Sequence, residues 1–339
     1  MALTAHWTKV GQNNLLKRSS VCASVIGSTI YVFGGELEPR KPRDNDVHKV
    51  RISLDGGSAV ETTFAQTSSP SPRVGATTTS LNGKLYMFSG RGGEAMAPIE
   101  ENGHVWAFDP SIEVWTSLRR SSSVYPEARS YHAMTNNGSD TIYVHAGCPE
   151  AGRLSDLWAF NVHDSKWRQL ATAPGADRGG SSIAYDDGKI YRMNGFDGKT
   201  EKGGALDVFD EATNNWSSFD FLPDGKSGPG ARSVAALIPV HRDGRVFLVT
   251  LFGESDPSSL GHLGAGKMLN DSWAYSVHDE TWIMVNVPST EGPQARGWFD
   301  ADVVSIGGEE SVVVVGGLGE SNERLDDAWL LRFSVSPIE

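Results

Sequence analysis

Residues 126–170 read PEARSYHAMTNNGSDTIYVHAGCPEAGRLSDLWAFNVHDSKWRQL. The stretch holds one complete unit of a repeat. Arg129 opens it and is followed by small and β-branched residues. IYVHAG (142–147) is a short apolar strand that ends at glycine, and DLWAFN (156–161) follows after a loop. KWRQL (166–170) completes the unit around Trp167. Working outward, the opening arginine recurs at Arg18, Arg73, Arg178, Arg232 and Arg296. The glycine-ended strand recurs as IYVFGG (30–35), LYMFSG (85–90), IYRMNG (190–195), VFLVTLFG (246–253) and VVVVGG (312–317). Third strands read DVHKVRI (46–52), HVWAFD (104–109), LDVFD (206–210), DSWAYS (271–276) and DAWLLRF (327–333), and fourth strands are built around Phe64, Trp115, Trp216 and Trp282.

Six units of about 50 residues, each with four short strands, have the period of a kelch-type propeller. The sixth unit stops at its third strand, and HWTKV (6–10) supplies the missing fourth, since it resembles KWRQL and TWIMV (281–285). Pairing that N-terminal strand with the last blade closes the ring and removes two sheet edges. No segment keeps an apolar helical period beyond a turn or two. The expectation is one all-β domain, residues 1–339, folded as a six-bladed propeller. In such a fold the recurring tryptophans are wedges between blades, and the paired glycines mark turns with positive φ.

Composition narrows the function. With 42 acidic and 30 basic residues the formal charge is −12, which opposes nucleic-acid binding because phosphates need local cation. No apolar run reaches membrane-spanning length, the N-terminus lacks the apolar segment of a signal peptide, and Cys22 and Cys148 read as free thiols. A cytoplasmic protein with a small-molecule substrate, no nucleic-acid partner and no membrane is expected, and a homo-oligomer stays open. No BTB-type or F-box segment accompanies the blades. No nucleotide fingerprint is present, and GRGG (90–93) lacks the strand–helix setting of a phosphate loop.

Chemistry belongs where the repeats stop agreeing. Antiparallel strands put the second-to-third-strand loops on the same face as the six arginines. Those arginines either bond carbonyls and an acid of the adjacent blade, or surround the channel mouth, as Arg129 and Arg296 would to bind substrate. The variable loops carry Arg91 and Arg153, and the longest, GESDPSSLGHLGAGKMLND (253–271), carries Glu254, Asp256, His262 and Lys267. Glu254, Asp256 and His262 are candidate metal ligands of weak signal, because carboxylate and imidazole suit iron, zinc or manganese.

Over 252–332 the chain resembles the nitrile-specifier, epithiospecifier and thiocyanate-forming proteins of glucosinolate breakdown. The likeness lies in the Gly-Glu opening, GHLGAGK, the Trp strand, ARGW and NERLDD, with weaker likeness in FGGELEP, PEARSYHAM and DRGGSSIAY. That resemblance implies a kelch propeller, a ferrous-iron (Fe2+) motif Glu-x3-Asp-x3-His, and a substrate held by Arg91, Tyr131 and Arg153. Here Glu254 and His262 match the motif, Ser258 stands at its middle carboxylate, and Asp256 falls two residues early. A hydroxyl is a poor ligand in that place, so no metal cofactor is expected, with Fe2+ the alternative. By analogy with fungal hetero-Diels–Alderases, the expected protein is a metal-free enzyme of secondary metabolism, of cyclase or lyase type. Arg91, Arg153 and His262 act as catalytic donors, and Tyr131, Trp298 and Glu254 bind substrate. The alternatives are a specifier-like, iron-assisted conversion of glucosinolate aglycones and a kelch scaffold for protein partners.

Overall fold

The computed structural model describes residues 2–53, 59–288 and 291–336. Among them the regular structure is strand apart from two three-residue 3-10 turns, Asn14–Leu16 and Gly261–Leu263. Six antiparallel sheets form the blades. Blade three runs Ala133–Asn136, Thr141–Gly147, Leu154–Asn161 and Lys166–Leu170 from the channel outward. Blade six pairs Asp300–Ile306, Glu309–Val315 and Asp327–Ser336, and its outer strand is Ala2–Gln12 from the N-terminus. The closure keeps the repeat's register: Trp7 faces Leu331 as Trp167 faces Phe160 in blade three. Trp7 then stacks on Phe252 of blade five at 5.6 Å and so wedges two blades together.

Second strands are buried on both faces, as the run Val312–Val315 shows with no exposed surface. Blade one departs from the expected pattern at its rim. Its outer strand is Val60–Thr63, and Val60 faces Val50 where a tryptophan would stand. Phe64 lies past the strand and is exposed, so it is no wedge.

The six arginines are clamps. Each donates through Nη1 to the carbonyl at the end of its own blade's second strand, from Gly34 through Gly316, over 2.6–3.1 Å. Five also bind a carboxylate with both terminal nitrogens: Asp44, Glu101, Asp156, Asp271 and Asp327. The acid comes from the same blade, not from the adjacent one, and lies at the start of the third strand or in the loop that enters it. In four blades a tryptophan indole donates to that acid as well.

Two residues beyond each clamp the backbone turns into the left-handed region, at Ser20, Gly75, Tyr131, Gly180, Val234 and Trp298. These six residues form a closed hydrogen-bonded circle. Each N–H donates to the carbonyl of its counterpart in the preceding blade, and Ser20 completes the circle by donating to Trp298. Their donor–acceptor distances run from 2.7 to 3.2 Å. The circle is an aperture between the channel and the face that carries the loops.

Candidate functional site

The aperture fixes where two aromatic side chains sit. Tyr131 and Trp298 project from it and meet edge-to-face at 5.3 Å. They line the channel cavity of about 540 Å³ on one side and the mouth on the other. Gly75 makes room for the tyrosine, since a Cβ there would lie 2.7 Å from its ring. The 3-10 turn Gly261–Leu263 folds in from blade five and lays His262 flat on Tyr131, with centroids at 5.6 Å and an interplanar angle of 13°. Asn322 of blade six donates to the Leu263 carbonyl at 3.0 Å and ties that turn down.

Around this stack the mouth holds two cavities of about 160 and 110 Å³, which share Tyr131, Cys148, Arg153 and His262. The larger is polar and adds Glu36, Arg40, Arg91 and Glu150. The smaller is walled by Phe196, Val234, Pro257 and Trp298, with Glu254 and Ser258 at its edge.

The mouth sets Arg40, Arg91 and Arg153 against Glu36, Glu150 and Glu254. Arg91 spends its donors on neutral oxygens: Ser130 Oγ at 3.1 Å, Met96 O at 2.9 Å and Pro149 O at 3.1 Å. Its charge therefore faces the cavity without a carboxylate partner. Arg153 has no hydrogen-bond or ion-pair partner among the described residues, and its guanidinium lies 5.0 Å over the Phe196 ring. Glu36, by contrast, is neutralised by Arg324 at 2.9 Å and accepts the Arg40 N–H at 2.6 Å. His262 keeps exposed surface while its ring packs on Tyr131 and against Trp298. Lost hydration, then Arg40, Arg91 and Arg153, hold its pKa below the ordinary 6.5, so it is a neutral base. Burial pushes Glu254 up to about 7 against the opposing N–H of Gly266 at 2.7 Å, and Glu201 adds to the rise. Burial likewise raises the Cys148 thiol, ahead of the opposing arginines.

The structure thus brings together Arg91, Arg153, His262, Tyr131, Trp298 and Glu254. It does not bring Arg129 or Arg296. Both are fully buried clamps bound to Asp156 and Asp327, and they line neither mouth cavity. Arg40, Glu36, Phe196 and Cys148 were missed. Only their loop positions hinted at them, because no residue type in those loops is distinctive.

The residues that the resemblance assigns to the iron motif, Glu254, Ser258 and His262, line the smaller mouth cavity together. Glu254 Oε1 is engaged by Gly266 N–H, and the Ser258 hydroxyl accepts the Leu260 N–H at 3.2 Å to shape the turn. Among the described residues no group of three His, Cys, Asp or Glu side chains is placed to hold a metal ion, so Asp256 does not complete a triad.

Residues 20–253 match the KLHDC2/KLHL20/DRC7 Kelch-repeats domain. The chain belongs to the kelch-repeat family. This kelch propeller is 26% identical to the N-(sulfonatooxy)prop-2-enimidothioate sulfolyase of Thlaspi arvense, over 98% of the chain and 99% of that protein. It is 28% identical to Kelch domain-containing protein 3 of Bos taurus over 45% of the chain and 40% of that relative. The solved structure titled "Structure of YjhT" superposes with a TM-score of 0.70 at 16% identity, covering 96% of this chain and 99% of that one, a likeness of fold. No helix among the described residues is long and apolar enough to cross a membrane.

Proposed function

We propose that the protein is a small-molecule enzyme of lyase or cyclase type. Its substrate carries an acidic oxygen beside a carbonyl and an apolar remainder. The observation that carries this reading is the mouth itself. Arg91, Arg153 and His262 converge above an aromatic floor in a chain of net charge −12, and Arg153 is uncommitted. Cations fixed where oxygen gains negative charge lower a barrier because they need no reorganisation. The oxyanion rests on Arg153 within the field of Arg91, and the apolar part lies against Phe196, Val234 and Trp298. Neutral His262 takes the acidic proton. As the substrate's electron pair moves inward, the C–O bond of a conjugated hydroxyl breaks, and protonated Glu254 delivers the proton with which it leaves as water. The resulting heterodiene, held beside an alkene, closes a ring as two σ bonds form at the expense of π bonds, a step favoured by near-attack geometry. This sequence is independent of a metal.

A second reading is a sulfolyase-type reaction, favoured by the full-length likeness to the Thlaspi protein. There the same arginines would hold a sulfate group. Tropolone, an acidic hydroxyl beside a ketone, and its methyl ether make a simple test pair. Tropolone should bind, its ether about tenfold more weakly, and Arg153→Ala should abolish the difference. On the authentic substrate Arg153→Ala and His262→Ala should each cost about 10²–10³ in rate with melting temperatures near wild type. Full turnover in both variants would place the chemistry elsewhere.

A further inference from the structure

Blade four breaks the clamp pattern. In the other five blades the arginine's Nη2 donates to a carboxylate. Arg178 uses Nε on Ala176 O at 3.2 Å and Nη1 on Asn194 O at 3.1 Å, and its Nη2 has no partner among the described residues. The reason is in the register. Phe209 faces Trp216 as Phe160 faces Trp167, so Ala205 stands where blade three has Asp156. The acid of this blade, Asp207, falls two residues later and binds a second arginine, Arg192, at 3.0 Å.

Arg192 comes from the second strand and is completely buried. It donates to Pro174 O at 2.8 Å and to Ala176 O at 3.4 Å, the carbonyl that also receives Arg178. Two guanidiniums therefore meet at one loop, 174–178; Asp207 bonds Arg192 alone, and it and Asp197 reach Arg178 only through their charge. The nearby Asp177 is turned to Ser155 and is exposed at the surface. Two further buried atoms of this region lack a partner: Nε of Arg192, and Nε2 of His145, which is itself wholly buried with its Nδ1 on Asp156 O at 2.9 Å. Burial, followed by the charge of Arg178, lowers the Arg192 pKa to about 10, which reports the same proximity. Gly175 flanks that nitrogen, since a Cβ there would lie 3.5 Å from Arg178 Nη2, so position 175 puts no side chain over it.

We propose that the Arg178 guanidinium edge, backed by Arg192, is a binding site for the carboxylate of a small organic acid, in the place where five sister blades supply their own. The geometry already accepts that group: in the matching blades a planar carboxylate spans Nη1 and Nη2 at 2.6–3.3 Å. Bidentate pairing with a fixed fork favours a carboxylate over a spherical halide. The site is separate from the mouth, since Arg178 lines neither mouth cavity. It does not depend on the function proposed above.

The test uses wild-type protein carrying 15N-arginine, titrated with acetate at constant ionic strength made up with chloride. The Nε–H resonances of Arg178 and Arg192 should shift and saturate, while those of Arg129 and Arg296 stay fixed. At ten times Kd the melting temperature should rise by about 2 °C over the chloride control. Ala205→Asp supplies the tethered acid and should abolish the acetate-dependent shifts, whereas Ala205→Asn should retain them. Resonances of Arg178 that ignore acetate in the wild type would overturn the proposal, as would equal shifts in chloride alone. If Ala205→Asp fails to fold, the wild-type titration still decides. Sulfate acting as well as acetate would refute carboxylate selectivity.

Discussion

Asp271→Ala probes what a clamp contributes. Arg232 has a side chain 1% exposed and binds Asp271 through two contacts of 2.8 Å, and the Trp273 indole donates to the same carboxylate at 2.7 Å. Alanine leaves a buried guanidinium with only the carbonyls of Gly230 and Phe252, and an orphaned indole N–H. Removing one partner of a buried pair costs about 3–5 kcal/mol. The Asp271 side chain is 27% exposed, which lets water replace part of the lost charge, so a value of about 3 kcal/mol is expected. Denaturant unfolding followed by tryptophan fluorescence measures it. Burial raises the pKa of Asp271, but Arg232 and Trp273 outweigh that and leave it below the ordinary 3.8. A depressed folded-state pKa gives stability that is present above 3.8 and is lost as pH falls through the folded value. The gap between wild type and variant should therefore narrow in acid. Replacing both partners, Arg232→Met with Asp271→Leu, should cost less than Asp271→Ala alone. A loss below about 1 kcal/mol, the range of surface pairs, would refute the clamp argument.

Deleting residues 2–12 should cost about 5 kcal/mol or more, because Leu3, Ala5 and Val10 are buried and Trp7 wedges against Phe252; an unchanged melting temperature would contradict the closure. Asp300 lines the channel and accepts the Ala23 N–H at 2.6 Å, and burial pushes its pKa up to about 8. A raised folded-state pKa gives stability present below 3.8 and lost as pH rises through about 8. Asp300→Asn keeps an oxygen for Ala23 and should gain on wild type across that window, as pH-dependent melting would record. Ser258→Asp adds a third acidic ligand to the loop of Glu254 and His262 and should tighten Fe2+ binding in a metal titration; equal binding by wild type would show another completing ligand.

The blades were legible because clamp arginine, glycine-ended strand and tryptophan strand each answer a backbone need that recurs every turn of the ring. The N-terminal closure followed from the same count, with Trp7 in the register of Trp167. In the mouth, Arg91, Arg153 and His262 stood out because they depart from the repeat, whereas Tyr131 and Trp298 occupy a repeated position and stood out by side chain. The clamp partners of Arg129 and Arg296 were not legible, because an arginine beside a channel looks the same whether its acid is present or absent. Their acids, Asp156 and Asp327, lie 27 and 31 residues further along the chain. The uncommitted state of Arg178 was hidden for the same reason, since it depends on Ala205.

The circle of six left-handed residues separates two tasks that a binding site usually entangles. Its backbone groups satisfy one another, so the circle's own bonding does not draw on the side chains there, which are left to pack in the mouth as Tyr131 does on His262 and Trp298. Strain at a non-glycine left-handed residue costs about 1–2 kcal/mol, and Ser20, Tyr131, Val234 and Trp298 already carry it. Exchanging one of those four for another residue type alters the lining and leaves the ring's bonding as it was. Gly75 and Gly180 are not interchangeable in this way, since a Cβ would lie 2.7 Å from the Tyr131 ring and 2.9 Å from Val234. The propeller therefore offers four positions around one pore where side chain and ring bonding are separable, with Tyr131 and Trp298 coupled to each other because their rings touch.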